Sequence, residues 1–271
     1  MNAYINKKII KFFSGSASNY DDYITGEEPL EIRLVNNNDI EPVSVIMRTP
    51  VDDFPLALGF LFDEGTIKLD DYISMDYDKN SKTNEMNNII NVYVKNINKD
   101  LINERNFYVN SSCGVCGKTN IDNVFIKNPK IIKIKEMIEP DLILSLPGKM
   151  KNNQKIFRYT GGIHAAAIFD YSGNLLNISE DIGRHNAVDK SIGKFLLNGI
   201  DRREDTLMQV SGRASFEIVQ KASMFGISVI SSVSAPSSLA IELAEAFNIT
   251  LISFVRDNRF NIYTKPERIN I

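Results

Sequence analysis

The chain has 271 residues, of which 43% are hydrophobic and 24% charged, and this globular composition excludes a disordered or collagen-like protein. Its formal net charge of −3 argues against a protein that coats nucleic acid, so an anionic ligand would need a local basic pocket. Two cysteines are too few for a secreted fold held together by disulfides.

The N-terminal segment contains two short apolar pairs, Ile9-Ile10 and Phe12-Phe13, which are separated by Lys11. An export signal needs about seven or more consecutive apolar residues, and a membrane-spanning helix needs about 18. The sequence contains neither kind of run. We therefore expect a cytoplasmic protein without a membrane segment.

The first 110 residues are predicted to form a small, strand-rich α+β unit. Apolar and polar residues alternate over 30–34 and 43–47, which indicates strands with one buried face, and a further strand is predicted over 90–94. A short helix is predicted over 52–63. The polar stretch 76–88 is predicted to be a surface loop.

Strands alternate with helices from residue 136 to the end, which indicates an α/β layer with a largely parallel sheet. The predicted elements are a helix after Pro140, a hairpin within 163–178, a helix over 184–197, a strand over 207–210, a helix around 218–225, a strand over 227–233, a helix beginning at Pro236, and strands over 250–255 and 260–263. We therefore predict two unlike domains, 1–110 and 136–271, joined by a linker loop at 111–135.

Both cysteines lie in that linker, in the sequence Cys113-Gly-Val-Cys116-Gly. Neighbouring serines and Lys118 favour the thiolate form, and the glycines suit an exposed loop. A structural zinc site needs four ligands, and only the two histidines of the chain could complete it. The pattern favours two exposed thiols that hold and pass on a sulfur atom, with structural zinc or simple burial as alternatives.

The two histidines lie in separate polar segments. His164 follows Gly161-Gly162, a pair that lets a ligand approach the backbone closely. His185 follows Arg184 at a predicted helix start, where free N–H groups and the helix dipole favour phosphate. The alternative for each is a histidine satisfied within the core.

Two further segments follow predicted strands. Ser211-Gly212-Arg213 forms a strand-to-helix turn, and the serine-rich stretch 232–237 repeats such a turn one unit later. Ligands bind at the carboxyl ends of parallel strands, although a helix cap by Ser211 is the simpler alternative. The last strand leads into a segment with two arginines suited to phosphate or to stacking on a base. Its residues are Phe254, Val255, Arg256, Asp257, Asn258 and Arg259, and a solvated hairpin tip is the alternative.

Six segments occur in order along the chain: Ser112–Gly117, Gly161–His164, Glu180–Asn186, Ser211–Arg213, Ser234–Pro236 and Phe254–Arg256. Together they resemble the formate dehydrogenase accessory sulfurtransferase family (FdhD) over about residues 28–264. The resemblance implies a cytidine-deaminase-like α/β/α layer in the C-terminal half and a cytoplasmic homodimer.

The resemblance also implies a function. Cys113 corresponds to the persulfide-forming cysteine and Cys116 to an assistant or second carrier. Sulfur would come from a cysteine desulfurase and pass to the molybdenum or tungsten bis(molybdopterin guanine dinucleotide) cofactor of formate dehydrogenase. The segment Phe254–Arg259 matches the cofactor-binding stretch, and the turns at Gly161–His164, Arg184–Asn186 and Ser211–Arg213 would complete the pocket. The sequence departs from the family at Asp257-Asn258, where a glycine often lies nearby.

Three alternatives differ in chemistry. A non-catalytic chaperone would bind the cofactor without transferring sulfur, and a zinc-stabilised nucleotide binder would use the cysteines as ligands. A zinc deaminase needs the patterns H-x-E and P-C-x-x-C. His164-Ala-Ala166 lacks the glutamate, and the cysteine pair has no preceding proline, so deaminase chemistry is disfavoured.

Overall fold

The computed structural model describes residues 2–37, 39–79, 87–99, 131–133 and 137–271. Cys113 and Cys116 lie outside these residues. The strands are β1 (Tyr4–Phe13), β2 (Ser16–Thr25), β3 (Glu28–Asn36), β4 (Asp39–Arg48), β5 (Tyr72–Tyr77), β6 (Ile89–Val94), β7 (His164–Asp170), β8 (Leu175–Asp181), β9 (Thr206–Val210), β10 (Val229–Ser232), β11 (Thr250–Arg256) and β12 (Arg259–Ile262). The helices are α1 (Asp53–Asp63), α2 (Pro140–Asn153), α3 (Lys155–Thr160), α4 (Arg184–Leu196), α5 (Phe216–Phe225) and α6 (Ser238–Ala246).

The first two strands form a separate antiparallel hairpin that the sequence analysis missed. Tyr4 stacks on Tyr159 beside α3, with 5.2 Å between ring centroids. Farther along β1, Ile10, Phe12 and Phe13 have exposed fractions of 74%, 72% and 75%. Because both faces of this part of the hairpin are exposed, its sequence has no alternation of buried and exposed residues from which to predict strands.

The N-terminal half also contains a four-stranded sheet in the order β4-β3-β6-β5, and α1 lies between β4 and β5 in the chain. The predicted strands at 30–34, 43–47 and 90–94 are confirmed as parts of β3, β4 and β6. The alternating residues of β3 bury Leu30, Ile32 and Leu34 completely or almost completely. The predicted loop at 76–88 overlaps the end of β5, a strand that the polar sequence concealed.

The C-terminal half contains a six-stranded sheet in the order β12-β11-β10-β9-β7-β8. The prediction of a largely parallel sheet is wrong, because only the pairs β9–β10 and β10–β11 are parallel and the other three neighbouring pairs of this sheet are antiparallel. The hairpins β7–β8 and β11–β12 have short turns, and such turns join only antiparallel strands. The α/β class is confirmed, whereas the cytidine-deaminase-like layering stays a prediction.

The helices cover both faces of this sheet. Helix α2 packs on one face through Ile143, Leu146 and Met150. Helices α4, α5 and α6 pack on the other face in a cluster that also contains α1 and the four-stranded sheet. This cluster therefore holds side chains from both predicted domains, and their division at 111–135 stays a prediction. No helix in the described part of the chain is long and apolar enough to span a bilayer.

Helices α1 and α4 meet backbone to backbone. A Cβ atom added at Gly59 would lie 2.0 Å from the carbonyl oxygen of Asp189, and one added at Gly193 would lie 1.9 Å from that of Pro55. Only glycine permits this approach. The contact joins the segment after β4 to the helix that begins at Arg184.

Candidate functional site

One edge of the six-stranded sheet collects the predicted binding segments. Since β9, β10 and β11 are parallel, the turns that follow them lie at the same edge. Strand β7 runs opposite to β9, so its first residue, His164, also lies there. His164 pairs with Asp181 at the end of β8, directly before α4. The topology therefore brings the five described segments of the predicted site to one edge.

His164 and Ser211 are in direct contact. The His164 Nδ1 atom lies 3.2 Å from Ser211 Oγ, which accepts a hydrogen bond from the backbone N–H of Ala165 at 2.9 Å. Burial and the charge of Arg184 lower the pKa of His164, so its imidazole is neutral at pH 7. The neutral ring can accept a hydrogen bond from the Ser211 hydroxyl at Nδ1. The simpler interpretation of Ser211 as a helix cap is wrong, because Ser215 is the N-cap residue of α5.

Gly212 completes this contact. A Cβ atom at this position would lie 3.4 Å from the His164 ring and 3.6 Å from Cδ of Arg184. These are ordinary contact distances, so His164 and Arg184 pack directly against the turn after β9 and leave room there for no side chain larger than a methyl group. The structure brings together four predicted residues here: His164, Arg184, Ser211 and Gly212.

The turn that leads into α4 is organised by a buried carboxylate. Asp181 accepts hydrogen bonds from the backbone N–H groups of Gly183 and Thr49, at 2.7 and 3.1 Å, and from the Asn186 amide at 2.9 Å. Its other partner is Lys190, whose Nζ lies 2.6 Å from Oδ2. These contacts fix the position of the α4 N-terminus, so this carboxylate has a positioning role.

Glu180 fixes the position of α3. Its two carboxylate oxygens accept hydrogen bonds from the backbone N–H groups of Ile156 and Phe157, at 2.9 and 2.8 Å. Both donors are in the first turn of α3, where N–H groups have no partner within the helix. The carboxylate therefore holds α3 and the following Gly161-Gly162 against β8.

His185 lies between α4 and α5. Its Nε2 atom is 3.3 Å from Ser215 Oγ and 3.7 Å from Glu217 Oε2. Burial, together with the charges of Arg184 and Lys221, lowers the pKa of His185 to about 4, although Glu217 and Glu64 oppose this shift. The ring is therefore neutral at pH 7.

We expect this buried ring to destabilise the protein in acid. The pKa in the folded state, about 4, lies below the ordinary value of 6.5, so the folded state binds fewer protons and stability is lost as pH falls from 6.5 towards 4. The loss from His185 at pH 4 is about 3 kcal/mol. Urea unfolding of the wild type and of His185→Gln measures it as the pH-dependent part of their difference. A constant difference over this pH range would contradict the assignment.

The hairpin between β11 and β12 explains the departure at Asp257-Asn258. Both residues have positive φ, 54° and 57°, as a two-residue hairpin turn requires. Asn and Asp tolerate this region better than other non-glycine residues, so the turn forms without glycine.

Phe254 also has a positive φ of 57°, within an irregularity of β11, and its N–H donates to the Ser234 carbonyl at 3.2 Å. A bulky residue there stores strain of about 1–3 kcal/mol.

The hairpin arginines Arg256 and Arg259 lie at the far end of the edge from His164, whereas Arg213 follows β9, the strand next to β7. Arg213, Arg256 and Arg259 are exposed, and Arg256 Nε is 3.9 Å from the Asp257 carboxylate. Strands β11 and β7 are separated by two intervening strands, which places their ends about 14 Å apart at the usual interstrand spacing. Residues 254–259 are therefore too far from His164 to contact it.

A cleft of about 590 Å³ opens beside His164, between α2, α3 and the sheet edge. This volume is typical of sites for small molecules. Gly161, Gly162, His164 and Ser211 line it, and their predicted role in cofactor binding stays a prediction. The analysis missed the remaining lining residues, which are Pro147, Met150, Lys151, Gln154, Phe157, Ile163, Ile182 and Val233.

Known proteins are similar to this chain over most of its length. The family model for the FdhD/NarQ family matches residues 25–270. The chain is 62% identical over 248 residues to "Sulfur carrier protein FdhD" of Picrophilus torridus, covering 92% of each chain. It is 47% identical over 253 residues to the protein of the same name from Thermoplasma volcanium, covering 93% of this chain and 90% of that one.

The chain belongs to the FdhD/NarQ family. The resemblance drawn from the six segments is thereby confirmed. A crystal structure described as that of a formate dehydrogenase accessory protein from Desulfotalea psychrophila superimposes with a TM-score of 0.74 at 26% identity, covering 99% of this chain and all of that one. The hairpin β1–β2 lies almost entirely before the residues that match the FdhD/NarQ model.

Metal-binding groups were also sought around this FdhD/NarQ site. Within residues 2–37, 39–79, 87–99, 131–133 and 137–271, no group of three or more His, Cys, Asp or Glu side chains could hold a metal ion. Cys113 and Cys116 lie outside those ranges, so the zinc alternative stays untested by the structure.

Proposed function

We propose that this protein carries sulfur for formate dehydrogenase. It accepts persulfide sulfur from a cysteine desulfurase and passes it to the molybdenum or tungsten bis(molybdopterin guanine dinucleotide) cofactor, which is its cargo. The observation that carries the proposal is the single sheet edge where the cleft, the α4 N-terminus and the exposed arginines meet, in a chain whose relatives are named sulfur carriers.

The edge suits an anionic cargo despite the net charge of −3. Helix N-termini present free N–H groups and a partial positive charge to phosphate. Arginines bind phosphate through two parallel hydrogen bonds. The cargo-binding groups among the described residues are thus Arg184 at the start of α4, the turn at Ser211–Arg213, and the hairpin with Arg256 and Arg259. The cleft with Gly161, Gly162, His164 and Ser211 completes the site. His185 supports the start of α4 through its contacts with Ser215 and Glu217.

Sulfur loading is a thiol exchange at Cys113. The Cys113 thiolate attacks the outer sulfur of the desulfurase persulfide. A new S–S bond forms at Cys113, the S–S bond of the donor breaks, and the donor cysteine leaves as a thiolate. No net oxidation or reduction occurs.

Sulfur release uses Cys116. Its thiolate attacks the Cys113 sulfur that bears the outer sulfur, a Cys113–Cys116 disulfide forms, and hydrosulfide leaves for the cofactor metal. The two cysteines supply the two electrons that reduce the transferred sulfur, and a cellular thiol then reduces the disulfide. Such a cycle needs a compartment that keeps thiols reduced, so we propose a cytoplasmic location. We also propose a homodimer, which rests on the resemblance alone.

The proposal predicts that purified protein gains about one sulfur atom in mass after incubation with a cysteine desulfurase and cysteine. The gain disappears on treatment with a thiol reductant, because a persulfide is reducible. Intact-protein mass spectrometry measures both steps. A protein that stays at its starting mass under conditions where the desulfurase is active would contradict the proposal.

A second candidate is a chaperone that binds the cofactor without transferring sulfur. It is favoured by the fact that residues outside the cysteine loop line the cleft and form the arginine hairpin. Cofactor binding by Cys113→Ala and Cys116→Ala separates the two functions. Retained binding with lost activation of formate dehydrogenase supports transfer, whereas activation by both variants supports the chaperone.

A further inference from the structure

Helices α1 and α4 carry two buried acidic side chains where they meet. Asp63 is the last residue of α1 and Asp189 lies on α4, and each has an exposed fraction of 1%. The backbone of Asp189 lies against Gly59, one turn before Asp63. The two carboxyl groups are hydrogen-bond neighbours. A hydrogen bond between them needs a proton, because an ionised carboxylate contains acceptors only.

The contacts of the two acids differ. With both groups ionised, neither carboxylate oxygen of Asp63 receives a hydrogen bond from the described residues. Asp189 instead has the ammonium of Lys221, on α5, 2.7 Å from its Oδ1. A buried carboxylate without a donor is strongly destabilised, whereas the neutral acid can donate to its neighbour. The geometry therefore puts the proton on Asp63 and the charge on Asp189.

Three acidic side chains share the charge of Lys221. Its ammonium also lies 3.3 Å from the Glu64 carboxylate and faces Asp63. If all three acids were ionised, three negative charges would face one positive charge, and burial makes such an excess costly. Burial and the charge of Asp189 accordingly raise the pKa of Asp63 well above its usual range, although Lys221 opposes the shift.

Two further titratable groups face this cluster. His185, one turn before Asp189 on α4, lies 3.7 Å from the Glu217 carboxylate on α5. The His185 ring also interacts with Lys221 and Glu64. Because this ring is neutral at pH 7, it supplies no second positive charge to the acids.

We propose that Asp63 and Asp189 share one proton at neutral pH, in a hydrogen bond that joins α1 to α4 only while the proton is bound. The bond fixes the helix that begins at Arg184, beside the candidate site. Its contribution to stability is complete below the ordinary Asp pKa of 3.8 and is lost as pH rises through the higher pKa of the folded pair. This property of the fold does not depend on the sulfur-carrier function.

Urea unfolding of the wild type and of Asp63→Asn between pH 5 and 7 tests the shared proton. Unfolding of the wild type releases this proton, because an unfolded aspartic acid is ionised at these pH values. The asparagine amide donates to Asp189 but has no proton to release. The unfolding constant of the wild type, relative to that of Asp63→Asn, should therefore rise about tenfold per pH unit. His185 is present in both proteins, so its titration cancels in this ratio. A constant ratio would overturn the proposal.

Asp53→Asn is the matched control on the same helix. Asp53 is also buried, but its carboxylate lies 2.9 Å from the Arg48 guanidinium, so its loss should lower stability by the same amount at every pH in this range. A tenfold change per pH unit in this control as well would overturn the assignment to Asp63.

Infrared spectroscopy of the folded proteins at pH 7 provides a second readout. A protonated carboxyl group has a C=O stretching band that a carboxylate lacks. The band should be present in the wild type and in Asp53→Asn and absent from Asp63→Asn. A wild type without the band, or a band that survives in Asp63→Asn, would overturn the proposal. The measurement on the wild type decides the question even if Asp63→Asn fails to fold.

Discussion

Replacing Cys113 by alanine is expected to abolish both sulfur loading and activation of formate dehydrogenase. The proposed exchange needs a nucleophilic thiolate that accepts the outer sulfur, and alanine supplies none. The variant should therefore show no mass gain with a desulfurase and cysteine. Co-expressed with a formate dehydrogenase in cells without another sulfur carrier of this family, it should leave that enzyme inactive.

Cys116→Ala is the matched control, because the chain has only these two cysteines. It should still gain one sulfur atom, since Cys113 remains. Release of hydrosulfide should slow at least tenfold in the absence of an external thiol, because the internal electron donor is missing. Mass spectrometry would then show persulfide accumulating on this variant.

Two results would contradict the assignment of the cysteines. If Cys113→Ala gained sulfur and Cys116→Ala did not, the two roles would be exchanged. If both variants activated formate dehydrogenase fully, neither thiol would take part in transfer. Thermal melting of each variant shows whether a loss of activity reflects a loss of folding.

The sequence predicted those helices and strands in which buried residues recur at a regular spacing along the chain. Helix α1 was predicted over 52–63 and begins at Asp53, and α4 was predicted over 184–197 and ends at Leu196. The helix predicted from Pro236 begins two residues later at Ser238, because Pro236 pairs with Ala214 in an isolated bridge. The direction of the strands in the sheet depends on pairing between distant segments, which a local pattern does not record. The β1–β2 hairpin is exposed on both faces, so it shows no alternation from which strands could be predicted.

The candidate site was predicted where polar residues follow strands. His164, Ser211 and the arginine hairpin stand out as polar or charged segments after apolar runs, and the topology brings these segments to one edge. Gln154 gave no such signal. It follows an amphipathic helix like any surface glutamine, and its burial without a partner depends on how α2 and α3 pack together.

Removing the Lys190 side chain is expected to have the largest effect on stability. Lys190 Nζ donates to the Thr49 carbonyl at 2.9 Å and lies 2.6 Å from Asp181 Oδ2, and neither side chain of this ion pair is exposed. Lys190→Met leaves the Asp181 carboxylate buried without its cation, which costs about 3–5 kcal/mol. Urea denaturation followed by circular dichroism measures the loss.

Lys194→Met provides the same substitution one turn later in α4. Lys194 Nζ lies 2.8 Å from Asp52 Oδ2, but the two side chains have exposed fractions of 29% and 38%. Water screens such a pair, so its loss costs about 0–1 kcal/mol. Equal losses in the two lysine variants would show that burial of the Lys190 pair does not control its energy.

The ion pair between Lys190 and Asp181 also connects the stability of the fold to the candidate site. Asp181 holds the turn that leads to Arg184, and Lys190 ties that turn to Thr49 after β4. Asp181→Asn combined with Lys190→Met removes both charges, so it should recover part of the stability lost in Lys190→Met. The double variant still lacks the Lys190 hydrogen bond to the Thr49 carbonyl, although the Ile182 N–H continues to donate to Thr49 Oγ1. Binding of the anionic cargo should therefore recover less than stability does.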